Sequence, residues 1–201
     1  MNRILIINNY DSFVYNIFHL VKRNTGCGID IVLNDSIDFS TLKNYTHIIL
    51  SPGPGVPEEA GDLLRVIEVC KTSHSILGIC LGHQAIACHF GARLLQLPHP
   101  QHGHKSELTV IDQNDPLLGN LTHPKAPEIF QKINAGVYNS WVVDPDTLPE
   151  ELVTGSVSET GVIMSIYHKY LNISGLQYHP ESIISDYGDK IICNWLSFKF
   201  T

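Results

Sequence analysis

The chain has 201 residues, of which 43% are hydrophobic and 16% are charged, as in a globular protein with a buried core. The formal net charge of −7 argues against nucleic acid as a partner, and no apolar run reaches the roughly 18–20 residues that span a bilayer, so no membrane association is expected. Five cysteines without a paired framework, and an N-terminus without a signal-peptide pattern, predict a cytoplasmic protein with free thiols.

The first half of the chain alternates strand and helix patterns. The apolar run 4–7 predicts a strand buried on both faces, and a helix capped by Asp11 or Ser12 follows it. Another helix is predicted from Pro57, because proline fits a first helical turn. Short connections between alternating strands and helices predict an α/β fold with a parallel sheet. The other strands predicted in this half are 29–33, 47–50 and 75–79, and the helix after 75–79 is predicted to end at Gly91.

From about residue 94 the pattern changes to a series of strand-like segments, which an amphipathic helix follows at the end. No repeat and no interdomain linker is visible, so residues 1–201 are predicted to form a single domain. The predicted strands are 107–111, 137–143, 152–157, 162–167 and 173–177, and the apolar residues of the last helix are Ile191, Ile192, Trp195 and Leu196.

The segment GICLGHQ at residues 78–84 lies between a predicted strand and a predicted helix. Two glycines flanking a nucleophile at such a junction are typical of a nucleophile elbow, in which glycine avoids collisions within a sharp turn. Cys80 would project above the strand ends at a helix N-terminus, which favours a thiolate and offers N–H groups to a developing oxyanion. The alternative is a buried structural cysteine.

A nucleophilic thiol needs a base, and the base needs a group that orients it. The candidates lie far along the chain, in the segment HPE at residues 179–181 that follows a predicted strand. Pro180 favours an extended backbone at His179, and residues two apart in extended chain face the same side. Glu181 can therefore reach the His179 ring. Without the cysteine elbow, the same three residues would more simply indicate a surface turn.

Together with the loop SPGPG at 51–55, these two motifs resemble a class I glutamine amidotransferase domain. The segment NYDSF at 9–13 is similar to the small subunits of anthranilate synthase and of para-aminobenzoate (aminodeoxychorismate) synthase. The resemblance extends over essentially the whole chain. It implies a flavodoxin-like, three-layer α/β fold with a central, mostly parallel sheet, the nucleophile elbow and added antiparallel strands.

The resemblance also implies a role for each motif residue. Cys80 would attack the side-chain amide of glutamine and form a thioester, His179 would carry the proton, and Glu181 would orient His179. The backbone N–H groups of Leu81 and Gly53 would hold the oxyanion, and Gln84 would contact the substrate. Main-chain groups of Ser140 and Trp141 would bind its α-amino and α-carboxylate groups. The implied substrate-binding residues are Gly53, Pro54, Gly55, Leu81, Gln84, Ser140 and Trp141; from its pattern alone, the segment 140–141 would be an ordinary strand.

By the same resemblance, the partners are L-glutamine and a chorismate-binding synthase subunit that receives ammonia. No cofactor is expected in this chain, and the partner synthase is expected to use Mg²⁺. Three departures from the family pattern bear on the partner. Asn139 stands where the family often has His, Trp141 where it often has Leu, and HGHK at 102–105 where it often has His-Gly-Lys. The sequence does not distinguish the anthranilate product from aminodeoxychorismate.

Three other interpretations have less support in the sequence. His99, His102 and His104 could suggest a metal, but they lie in a loop with Glu107 as the one nearby carboxylate, so no metal site is expected. A non-catalytic regulatory module of the same fold would usually lack the nucleophile or the base, and both are present. A γ-glutamyl-type thiol hydrolase remains an alternative, against which the 51–55 loop, Gln84 and the 9–13 motif argue.

Overall fold

A nine-stranded sheet forms the centre of the protein, as seen in a computed structural model that describes residues 3–101, 103–121 and 132–198. The strands, in chain order, are β1 (Arg3–Asn8), β2 (Gly28–Leu33), β3 (His47–Leu50), β4 (Ser75–Ile79), β5 (Leu94–Gln96), β6 (His104–Val110), β7 (Lys132–Val137), β8 (Trp141–Val143), β9 (Leu152–Ser158), β10 (Ile163–His168) and β11 (Ile173–Leu176). The helices are α1 (Val14–Asn24), α2 (Leu63–Cys70), α3 (Leu81–His89) and α4 (Gly188–Ser197).

The sheet has a parallel half and an antiparallel half. The spatial order is β2-β1-β3-β4-β11-β10-β9-β6-β7, with the first five strands parallel and the remaining pairs antiparallel. Strands β5 and β8 form a separate two-stranded sheet. This arrangement confirms the predicted α/β fold with a mostly parallel sheet and added antiparallel strands.

Helices cover both faces of the parallel half, which gives the three layers. Along β1, Ile4 and Ile6 pack with α1 and α4 on one face, whereas Leu5 and Ile7 pack with α2 and α3 on the other. All four side chains are at most 2% exposed, as expected for a strand between two helical layers. Because β4 is the fourth strand in this spatial order, the residue after β4 emerges near the middle of the nine-stranded sheet.

The sequence prediction of the second helix is wrong at its start. Residues Pro57–Glu59 form only a short 3-10 turn, and α2 begins at Leu63. Gly61 adopts a φ of +57°, and a Cβ there would lie 3.0 Å from the carbonyl oxygen of Asn34. A glycine held in this left-handed conformation interrupts the α-helical ladder, so the helix cannot run continuously from Pro57.

The predicted strand 137–143 is also wrong. Strand β7 starts earlier and ends at Val137, and β8 begins only at Trp141. Residues 138–140 between them leave the sheet, while the main-chain N–H of Leu97 donates to the Ser140 carbonyl at 2.8 Å. This break directs the residues 138–141 toward the end of β4. Within the described ranges, no helix is long and apolar enough to cross a membrane.

Candidate active site

The turn between β4 and α3 has the geometry of a nucleophile elbow. Cys80 adopts φ 52° and ψ −102°, a conformation that is strained for any residue with a side chain. A Cβ at Gly78 would lie 2.4 Å from the backbone of Gly82, and one at Gly82 would lie 2.2 Å from the carbonyl oxygen of Leu50. Glycine is therefore required at both positions, which confirms the predicted reason for the pattern.

The elbow fixes Cys80 at the start of α3. The Cys80 N–H donates to the carbonyl of Leu176 in β11 at 2.8 Å, and the Cys80 carbonyl accepts from the N–H of Gln84 at 3.0 Å. Leu81 is the first residue of α3, and the first amides of an α-helix have no acceptor within the helix. The Cys80 sulfur therefore lies beside backbone N–H groups that are available to an oxyanion.

His179 and Glu181 form a buried pair just after β11. The distance from His179 Nδ1 to Glu181 Oε1 is 2.7 Å, and the two side chains are 2% and 0% exposed. Burial by itself lowers the pKa of His179, but its interactions with the Cys80 thiol and the Glu181 carboxylate outweigh burial and raise that pKa above its usual range. The opposite ring nitrogen, Nε2, makes no hydrogen bond of standard geometry, while the His179 side chain interacts with the Cys80 thiol.

Two aromatic rings hold the His179 imidazole in place. The Tyr138 ring centroid lies 4.8 Å and the Phe13 ring centroid 5.3 Å from the imidazole, both in edge-on arrangements. Phe13 belongs to the 9–13 motif, whereas Tyr138 was not predicted as a site residue. Its position in the break between β7 and β8 could not be inferred from a pattern that resembled a continuous strand.

The SPGPG loop packs directly against the elbow. A Cβ at Gly53 would lie 2.6 Å from the Asn9 Cβ and 2.7 Å from the Leu81 side chain, so only glycine allows this approach. Asn9 holds the start of the loop: its backbone N–H donates to Ser51 Oγ at 2.9 Å, and its side-chain amide donates to the Ser51 carbonyl at 2.8 Å. The 9–13 motif thus positions the loop through Asn9 and the imidazole through Phe13.

A small cleft of about 190 Å³ opens in front of Cys80. This volume is below the roughly 300–1,000 Å³ typical of drug-sized ligands, so the cleft suits a small substrate. Six of the seven residues predicted to bind substrate line it, and the side chain of the seventh, Leu81, is buried in the core. The lining consists of Gly53, Pro54, Gly55, Gln84, Ser140 and Trp141 together with Cys80, Tyr138 and Asn139.

The main chain at Trp141 is already engaged by protein groups. Its carbonyl oxygen accepts from Gln84 Nε2 at 2.8 Å and from Asn139 Nδ2 at 3.0 Å, which uses both lone pairs. The carbonyl of Ser140 accepts from Leu97. The main-chain groups left to bind the substrate are therefore the N–H groups of Ser140 and Trp141 and the second lone pair of the Ser140 carbonyl oxygen.

Gln177 is a site residue that the sequence analysis missed. It is fully buried, and its Nε2 lies 3.7 Å from Cys80 Sγ. The signal was present, since Gln177 stands two residues before His179 and alternate residues of extended chain share a face. Nothing in the residue type alone distinguished it from a structural glutamine.

A second cavity, of about 370 Å³, lies behind Gln177 and Asn139. His99 and His104 line this cavity, and His102 lies outside the described residues. In the part of the chain that the structure describes, no group of three or more His, Cys, Asp or Glu side chains could hold a metal ion.

A cysteine at a strained elbow, beside a buried histidine–carboxylate pair and facing a small polar cleft, has the arrangement that thiol enzymes of the triad type use. The glutamine amidotransferase class-I family matches residues 5–197, and the chain belongs to this family.

Two relatives that match nearly the full chain carry different names. The chain is 38% identical over 199 residues to a Haemophilus influenzae protein assigned as anthranilate synthase component II, covering 99% of this chain and 98% of that one. It is 37% identical over 203 residues to aminodeoxychorismate synthase component 2 of Klebsiella aerogenes, covering 96% and 99%. Among solved structures, a Thermoplasma acidophilum protein assigned as a GMP synthase subunit matches with a TM-score of 0.83 at 28% identity, covering 98% of this chain and 92% of that one.

Proposed function

We propose that this chain is the glutamine-hydrolysing subunit of a synthase that aminates chorismate. The observation that carries the proposal is the meeting of Cys80 with the buried His179–Glu181 pair at a cleft lined by the predicted substrate-binding residues. The names of the full-length relatives, component II of anthranilate synthase and component 2 of aminodeoxychorismate synthase, supply the class of partner.

In the proposed reaction, the Cys80 thiol passes its proton to His179, and the sulfur forms a bond to the side-chain carbonyl carbon of glutamine. The carbonyl electrons move onto the oxygen, which accepts hydrogen bonds from the backbone N–H groups of Leu81 and Gly53. The carbon–nitrogen bond then breaks as His179 gives its proton to the departing nitrogen. Ammonia departs, and the γ-glutamyl group remains bound to Cys80 as a thioester. Water, deprotonated by His179, then adds to the thioester carbon. The carbon–sulfur bond breaks, glutamate leaves, and His179 returns the proton to the sulfur, which restores the thiol.

The partner is needed because ammonia released into water at neutral pH is mostly protonated and no longer nucleophilic. Delivery to a chorismate-binding subunit through a shared interface avoids that loss. The residues of this chain supply binding, a nucleophile and proton transfer, so the proposed reaction requires no cofactor here; Mg²⁺ is expected to belong to the partner synthase.

The proposal is tested by isolating the chain together with its partner from its own cells and supplying glutamine and chorismate. We expect glutamate to form together with ortho-aminobenzoate, or with a product that a lyase converts to para-aminobenzoate. The first product identifies an anthranilate synthase and the second an aminodeoxychorismate synthase. Glutamate without either product would contradict the chorismate partner, and hydrolysis of γ-glutamyl peptides in preference to glutamine would contradict the amidotransferase itself.

The Glu181 carboxylate is expected to set the alkaline limit of activity. It helps to raise the pKa of His179, and the His179 proton that expels ammonia is lost as the pH rises through that pKa. In Glu181→Gln the negative charge is gone, so the pKa falls and the alkaline limb of kcat/KM for glutamine should move down by about one pH unit or more.

The measurement is the rate of glutamate release as a function of pH for the native protein and for Glu181→Gln. Because ionisation of the substrate glutamine affects both proteins equally, it does not contribute to the difference. Glu107→Gln serves as the matched control, because Glu107 is paired with Lys132 at the surface. An unchanged alkaline limb in Glu181→Gln would show that Glu181 does not act on the His179 proton.

A further inference from the structure

We infer that Gln177 positions the nucleophile by donating a hydrogen bond to the Cys80 sulfur, at the end of a chain of amide groups that starts at the main chain of the substrate cleft. The inference rests on the proposed role of Cys80 as nucleophile. Gln177 is fully buried behind Cys80, and its Nε2 to Cys80 Sγ distance of 3.7 Å is within reach of an N–H to sulfur hydrogen bond.

The direction of the chain follows from its first member. The carbonyl of Trp141 can only accept, so the group of Gln84 that faces it at 2.8 Å must be the amide nitrogen. The same nitrogen lies 3.2 Å from the side chain of Gln177 and therefore faces its oxygen, Oε1. With Oε1 turned toward Gln84, the Gln177 nitrogen is turned toward Cys80. The donor at the sulfur is fixed by chemistry and not by an arbitrary choice of amide orientation.

A donor in this place favours the reactive form of the thiol. A hydrogen bond to a charged group stabilises it, and a hydrogen bond to an ion is roughly twice as strong as one between neutral groups. Gln177 therefore supports the thiolate through a contact that is separate from the one with His179. It also restricts the sulfur to one direction, because the glutamine side chain is buried and held at its other end by Gln84.

The chain also connects the cleft to the nucleophile. Trp141 lies in the segment predicted to bind the α-groups of glutamine, and its carbonyl holds both Gln84 and Asn139. A substrate that binds this segment therefore also fixes the position of the Trp141 carbonyl, which orients Gln84. Gln84 in turn orients the Gln177 amide that donates to Cys80.

The test is the pH dependence of Cys80 alkylation by iodoacetamide, followed by mass spectrometry of the Cys80 peptide. Gln177→Met keeps the length of the side chain and removes the donor. We expect the pH midpoint of alkylation to rise by about one unit and the rate at pH 7 to fall about tenfold. Glutamine hydrolysis should lose kcat by a similar factor with KM unchanged, as expected for an interaction at the reacting atom.

Two further variants keep the test decisive. Gln96→Met makes the same change on the exposed strand β5 and should leave the midpoint in place. Gln84→Met removes the hydrogen bond that orients Gln177 and should raise the pH midpoint of Cys80 alkylation by a smaller amount. If Gln177→Met does not fold, the result for Gln84→Met tests the inference in its place. Alkylation requires neither glutamine nor the partner, so it separates this inference from the proposed function.

The outcomes differ in what they contradict. If Cys80 in the native protein reacts no faster than Cys88, the nucleophile assignment fails and this inference fails with it. If Cys80 is reactive but its midpoint is the same in the native protein and in a folded Gln177→Met or Gln84→Met variant, the inference alone is overturned.

Discussion

Replacement of Cys80 by serine is expected to reduce glutamine hydrolysis by about 10⁴-fold or more without unfolding the protein. Serine is nearly the same size and can occupy the same strained turn, but its hydroxyl is a far weaker nucleophile than a thiol with a histidine base beside it. In the complex with the synthase, product formation from added ammonium salts should survive, because the partner then no longer depends on this site.

The matched control is Cys88→Ser in the same helix. Burial, with a smaller contribution from Glu58, raises the pKa of Cys88 to about 12, so this thiol is inert and its removal should leave turnover unchanged. Glutamate release by the two variants and circular dichroism of each form the measurement. Persistent glutamine hydrolysis in Cys80→Ser would eliminate Cys80 as the nucleophile.

Replacement of Gly82 by alanine is expected to lower the free energy of unfolding by about 3 kcal/mol and to impair turnover together with it. The added methyl group would lie 2.2 Å from the carbonyl oxygen of Leu50, a backbone atom that cannot move aside as a flexible side chain could. Relief requires α3 to move away from β3, and Cys80 moves with the start of α3.

Gly26→Ala is the control for this prediction, since no atom lies within 4 Å of a Cβ at Gly26. Urea denaturation of the native protein and both variants gives the change in unfolding free energy, and glutamate release gives the change in turnover. Equal denaturation midpoints for Gly82→Ala and Gly26→Ala would show that the helix does not require glycine at residue 82.

The parallel half of the fold was predictable because its physical signals are local. Continuous apolar runs identified β1, β3 and β4, and Gly91 ended the elbow helix as expected, with a φ of +103° just beyond His89. The second predicted helix failed because the constraint on Gly61 comes from the backbone of Asn34, which is distant in sequence. A tertiary contact of this kind leaves no mark on local periodicity.

The candidate site shows the same division. The meeting of Cys80 with His179 and Glu181 was predictable because short segments carry its signals, two glycines around the cysteine and a proline between the histidine and the glutamate. The segment 138–141 resembled part of a continuous strand. Its break from the main sheet could not be predicted, because it depends on pairing with β5 and on hydrogen bonds from the Gln84 and Asn139 side chains. Gln177 and Tyr138 were missed because their importance lies in which neighbours they meet and not in their own type.

The contact between Gly82 and Leu50 also bears on how this protein can tolerate sequence change. At Gly82, helix α3 packs on the main chain of β3 with no side chain of its own in between, so the position of Cys80 is set by backbone packed against backbone. Exchanges among aliphatic residues in the two surrounding hydrophobic clusters can alter stability, but they do not act as spacers beneath Cys80. Aliphatic residues of the interior can therefore change during evolution while the Cys80 sulfur keeps its place, provided that the two glycines of the elbow remain.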